Sequence, residues 1–133
     1  MSAATPSARN EATMLVRNGP LLGPVLSRVI GMLAARAQCP IDRLDDALLV
    51  ADTVAAHSPD HAVDGTVRVG LAAGDGVLEL TIGRLKAGGA EALLKDAELP
   101  GVGNVLDRVA DQVDVRTEDA DGETLYVRLG FGV

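Results

Sequence analysis

The stretch GTVRVGLAAGDGVLELTI, residues 65–82, decides the fold. Gly65 to Ala73 and Gly76 to Ile82 each alternate with period two, and Gly74-Asp75-Gly76 joins them. Alternation places side chains on opposite faces of a strand, and a glycine-aspartate-glycine junction between two such runs is a β-hairpin signal. A second hairpin is expected further on, from Gln112 to Arg116 and from Thr124 to Phe131, turning through Asp119 to Gly122.

Helical spacing surrounds these hairpins. Upstream, Leu21, Leu22, Val25, Leu26, Val29, Ile30 and Leu33 recur at the helical period, so a helix runs from about Pro20 to Ala37. Pro20 and Pro24 fit its first turn, where a missing N–H does no harm. Cys39-Pro40 breaks it. Asp42 then caps a second helix striped by Leu44, Ala47, Leu48, Ala51, Val54 and Ala55, widened by Leu49 and Val50 and ended by Pro59. Ala12 to Arg17 reads as a short edge strand, and residues 1–10 as a flexible tail before one domain over residues 11–133.

Downstream, Gly83 to Gly89 reads as a basic, glycine-containing connection and Ala90 to Ala97 as a short helix. Leu99 to Gly103 is a turn, followed by a helix with Val102, Val105, Leu106 and Val109 on one face. Strands and helices come in blocks, which indicates an α+β two-layer sandwich. Helices would cover one face of a mixed, mostly antiparallel sheet.

Composition narrows the function. In 133 residues, 47% are hydrophobic and 2% aromatic, so the core is built from Val, Leu, Ile and Ala. The net charge of −7 and the near absence of aromatic platforms argue against direct nucleic-acid binding. One cysteine, Cys39, excludes an intrachain disulfide and suits a reducing compartment. The start carries no signal-peptide pattern, and no apolar run approaches the ~20 residues of a membrane span. A cytoplasmic setting is expected.

Single residues give weaker signals. His57 and His61 have the i, i+4 spacing of helical metal ligands, but Pro59 interrupts the helix between them. No metal is expected. Asp45 and Asp46 read as first-turn charges complementing a helix dipole. Arg84 and Lys86 make a small basic spot, either solvated or an anion contact. Cys39 reads as a small buried hydrophobe. Between Asp107 and Glu123 stand seven acidic residues and two arginines, a solvated face or a surface for a basic partner.

The layout and three local strings resemble the anti-sigma-factor serine kinases of the GHKL ATPase superfamily, small bacterial regulators related to histidine-kinase ATP-binding domains. The strings are RLDDALLVADTVAAHSPDH (Arg43 to His61), GVLELTIG (Gly76 to Gly83), and LPGVGNVLDRVADQVDV followed by GETLYVRLGF. The resemblance runs from about Leu21 to Phe131. It implies a histidine-kinase-like ATPase fold and a nucleotide site built from an N-box helix and two glycine boxes.

At the matching positions the chemistry is altered. Asp52 stands where the family has a glutamate general base, and Ala56 where an asparagine holds Mg²⁺. Arg84 falls at or near an aspartate that accepts from the adenine amino group, yet it offers donors alone. Gly88 belongs to the first glycine box. Gly101 and Gly103 belong to the second, before a helix whose N-terminus could hold a phosphate.

The resemblance therefore implies an anti-sigma-like regulator that binds a sigma factor, an anti-anti-sigma factor or both, with lost or weakened ATP binding. It could form a homodimer through the first strand and helix. The alternatives are an active ATP- and Mg-dependent serine kinase acting on an anti-anti-sigma factor, with Asp52 as base, and a small-ligand domain on the same fold.

Overall fold

The computed structural model describes residues 9–119 and 122–131. Its strands and helices are β1 (Asn10–Arg17), α1 (Leu22–Arg36), α2 (Ile41–His57), β2 (Thr66–Gly74), β3 (Val77–Leu85) and α3 (Gly89–Asp96), then β4 (Glu98–Leu99), β5 (Gly103–Asn104), α4 (Val105–Val109), β6 (Gln112–Asp119) and β7 (Gly122–Gly130). A short 3₁₀ turn, Ser58–His61, follows α2. Five strands form one sheet in the order β1-β2-β3-β7-β6, and β4 pairs with β5 apart from it. The fold is α+β in two layers.

Every pairing in the large sheet is antiparallel, so the mixed element of the expectation is corrected. Tight turns account for two of these pairings, β2–β3 and β6–β7, while β1–β2 and β3–β7 join strands that are separated in the chain by helices. In the β2–β3 turn, Asp75 and Gly76 have φ of +55° and +75°. Two left-handed residues match the twist of the flanking strands. The expected edge strand is β1, now extended to Asn10. Of the tail expected over residues 1–10, positions 1–8 lie outside the described residues, as do the turn residues 120 and 121.

Alternation sorts each strand into two faces. Val67, Val69, Leu71 and Ala73 on β2 are buried, as are Leu78, Leu80 and Ile82 on β3 and Leu125, Val127 and Leu129 on β7. They meet Leu22, Leu26, Ile30 and Leu33 of α1 and Ala47, Val50, Ala51 and Val54 of α2 in a single core. The core is aliphatic throughout, and each fully buried Leu or Ile contributes about 2–3 kcal/mol of transfer free energy. Leu49 is exposed, so the buried stripe of α2 is narrower than its apolar content suggests.

Three further boundaries differ from expectation. β3 continues through Gly83 and Arg84 to Leu85, where a connection was expected. A bulge after Ile82 absorbs one extra residue, which returns Leu85 to the core opposite Glu123. α2 starts two residues early, at Ile41: Pro40, not Asp42, occupies the cap position, without a side-chain hydrogen bond, and Asp42 lies in the first turn. Helix α4 is shorter than its apolar spacing suggests. Gly101 and Gly103 have φ of +78° and +91°, incompatible with helix, which leaves Val102 in an exposed turn.

No helix among the described residues is long and apolar enough to cross a membrane.

Candidate functional site

Helix α2 carries Asp52 and Ala56 one turn apart, both exposed. Helices α3 and α4 pack beside α2, and each begins at a glycine-bearing turn. Asp52, Ala56, Gly88, Gly101 and Gly103 therefore all belong to the helical side of the sheet. Arg84 does not. It lines clefts with Thr13, Arg68, Thr81 and Thr124, which face away from the helices. The bulge in β3 turns Arg84 to that opposite face, away from Asp52.

The two glycine turns share a property that decides what they can bind. Gly88 has φ of +77° and sits at the N-terminus of α3. Its N–H donates to Glu123 Oε2 at 2.9 Å, and the Ala90 N–H donates to Glu123 Oε1 at 3.1 Å. The intervening Gly89 N–H donates to the Lys86 carbonyl at 2.6 Å. A carboxylate from β7 thus occupies the positive end of α3, where an anion is favoured.

At α4 the same job falls to Asn104. Its Oδ1 accepts from the N–H groups of Leu106 (3.0 Å) and Asp107 (3.2 Å), and its Nδ2 donates to the Leu94 carbonyl at 2.6 Å. The Val105 N–H donates to the Ala97 carbonyl at 3.1 Å. At both helix starts, acceptors from within the chain take several of the first N–H groups. A phosphate arriving at either turn would have to displace a built-in acceptor.

Neither Glu123 nor Asn104 stood out in the sequence as a site residue. Asn104 carried a usable signal, since Asn directly before an apolar run is a preferred cap. Glu123 carried none, because it reaches α3 across the sheet from 33 and 35 positions away.

Arg43 was also missed. It sits near the start of α2, and its guanidinium donates to the carbonyls of Gly130 (2.8 Å) and Val109 (2.7 Å), to Asp46 (2.8 Å) and to Asp111 (3.0 Å). One side chain thereby ties α2 to the ends of α4 and β7 and the approach to β6. Burial alone would lower its pKa, but the two carboxylates hold it up. Asp46 is thus an ion-pair partner, correcting its reading as a dipole charge. Asp111 also accepts from the Gly130 N–H at 2.6 Å, a bond that holds its carboxyl below the usual range. A Cβ at Gly130 would stand 2.8 Å from that carboxylate oxygen, so a larger residue there would push the Asp111 carboxylate aside.

The remaining candidates are placed as follows. His61 pairs with Asp96 at 2.7 Å, joining the 3₁₀ turn to α3. His57 ends α2, and among the described residues no three His, Cys, Asp or Glu groups converge as metal ligands. Cys39 is half-buried. Burial pushes its thiol pKa up, with Asp42 and Asp46 adding to the rise and Arg43 opposing it, so the nucleophilic thiolate is disfavoured.

Among five clefts, the largest on the sheet's open face encloses about 290 Å³, and Asp52, Ala56, Gly88, Gly101 and Gly103 line none of the five. No protein-family model matches the chain, and no curated protein matches it significantly.

Proposed function

We propose that this chain is a regulator acting by protein–protein binding, derived from the anti-sigma serine kinase plan but independent of nucleotide. The observation that carries this reading is the internal capping of both glycine turns, by Glu123 at Gly88 and by Asn104 ahead of α4. The resemblance puts the first of those turns in the first glycine box and implies a phosphate at the second. A ligand there would compete with acceptors whose effective concentration is set by the fold itself.

Three further observations support it. Strands and helices come in blocks in two layers, in keeping with the sequence layout on which the resemblance rests. Ala56, beside Asp52, offers no oxygen to a metal. Arg84 lies across the sheet from Asp52, so it neither replaces the adenine acceptor nor completes a catalytic pair.

The partner in this reading is a sigma factor or its antagonist, held without phosphoryl transfer. Pairwise titration of the purified protein against the sigma factors and anti-anti-sigma factors of its own genome tests it. Saturable binding that is unchanged by ATP and Mg²⁺ is the expected result. Absence of binding to every such partner, or binding that requires ATP, would refute it.

A further inference from the structure

The sheet face turned away from the helices gathers most of the arginines of an acidic chain. Arg17, Arg68, Arg116 and Arg128 project there by strand alternation, and Arg9 and Arg84 line its clefts. Six of the ten arginines of a chain with net charge −7 are thus gathered on one side. The acidic groups described among them are Glu11, Glu79 and Asp114, with Asp64, Asp75 and, beside Arg128, Asp111 at the rim. Glu79 is committed to Arg9 and to the Tyr126 hydroxyl. Arg17, Arg68, Arg116 and Arg128 form no ion pair with a described residue.

Four clefts run together across this face. One of about 290 Å³ shares Thr13, Gly70 and Thr81 with a neighbour of about 120 Å³. That neighbour shares Arg68 and Arg84 with a third, and the first shares Glu79 with a fourth. The floor is made of small residues. At Gly70 a Cβ would fall 2.5 Å from Thr81 Oγ1, so a side chain there would force Thr81 aside. The result is a shallow trough with arginines along it. Crossing five strands at ~4.8 Å spacing gives it a length of about 19 Å, the span of about six extended residues.

We infer that this trough docks an extended, acidic segment of a partner protein, its carboxylates paired with Arg68, Arg116 and Arg128. Planar guanidinium groups pair bidentately with carboxylates, and small floor residues admit a peptide backbone. Nucleic acid fits less well. The one aromatic ring on the face, Tyr126, is already covered by the Arg116 guanidinium at 3.9 Å, leaving no free stacking platform. The inference stands on the charge distribution and the trough, and it holds whether or not the helical side binds a nucleotide.

The test uses a fluorescein-labelled peptide of about twelve residues with Glu at alternate positions, followed by anisotropy against the full chain. Binding in the range of about 1–100 μM at low salt is expected, weakening at least about tenfold between about 20 and 200 mM salt. The double variant Arg68→Ser/Arg116→Ser should weaken it about tenfold or more. Thr13→Glu, an exposed change that places a carboxylate over the trough, should do the same without touching an arginine. Arg36→Ser, on the exposed end of α1, should change it less than about twofold.

Thermal melts confirm that each variant is folded. Four outcomes would overturn the inference: no peptide binding, equal loss on Arg36→Ser, tighter binding of a single-stranded RNA of equal charge, or self-association that the double variant abolishes and the peptide does not disturb.

Discussion

The Glu123 carboxylate accepts the Gly88 N–H at 2.9 Å, which places an acid from the closing strand on the start of α3. A glycine-bearing helix start, a place where an anion is favoured, is in this way completed by the chain itself. The bond closes the positive end of a helix and fastens α3 to β7, so an anion arriving there would compete with it.

Removing that acid should be costly. Glu123→Ala strips the acceptor from both Gly88 and Ala90 and is expected to cost about 1–2 kcal/mol, as for a lost helix cap. For a domain of this size that lowers Tm by about 3–6 °C in a thermal melt. Glu123→Gln keeps an acceptor oxygen and should lose about half as much.

Asn104 allows its two roles to be separated. Asn104→Asp keeps the acceptor for Leu106 and Asp107 but loses the donor to Leu94. Asn104→Ala loses both, and is expected to cost about 1–2 kcal/mol by denaturant titration, with Asn104→Asp intermediate.

Arg43 joins elements that are far apart in sequence. Arg43→Met should cost about 2–4 kcal/mol, because the carbonyls of Val109 and Gly130 and the carboxylate of Asp111 lose a charged donor at once. Arg43→Lys should rescue little, since an ammonium cannot reproduce the planar fork. Equal stability of Arg43→Lys and wild type in denaturant would contradict this.

The low pKa of Asp111 gives a signed pH effect. Its causes are the Gly130 N–H first, offset in part by burial, then the charge and hydrogen bond of Arg43. The folded-state value lies below the ordinary 3.8, so the contribution is complete above that value and fades as pH falls through the lower, folded-state value. Asp111→Asn should therefore narrow the difference in Tm between pH 5 and pH 3, measured by calorimetry. An unchanged difference would contradict it.

Ser58 offers a change in the opposite direction. Its hydroxyl is fully buried and makes no hydrogen bond to a described residue. Ser58→Ala removes a buried polar group of little packing value and should raise stability by up to about 1 kcal/mol.

How much was legible in the sequence follows from the range of the forces involved. Both hairpins, the edge strand and the two long helices could be read, because local alternation and helical spacing encode them. Leu85 could not be placed, since its register depends on the bulge beyond Ile82 and on Glu123 in a distant strand. The length of α4 depended on the left-handed glycines before it. The positions of Asp52 and Ala56 followed from helix periodicity, whereas the turning of Arg84 to the far face followed from the bulge. Arg43, Glu123 and the arginine trough arise from contacts between elements, and no short-range pattern announces them.

Titration calorimetry of nucleotide-free protein with ATP and with ADP, each with and without Mg²⁺, tests the central claim most directly. The expected result is no heat of binding and no thermal stabilisation by either nucleotide. Magnesium-dependent binding tighter than about 100 μM, or about −5.5 kcal/mol, would contradict it. It would refute nucleotide independence and return Asp52 to consideration as a catalytic base.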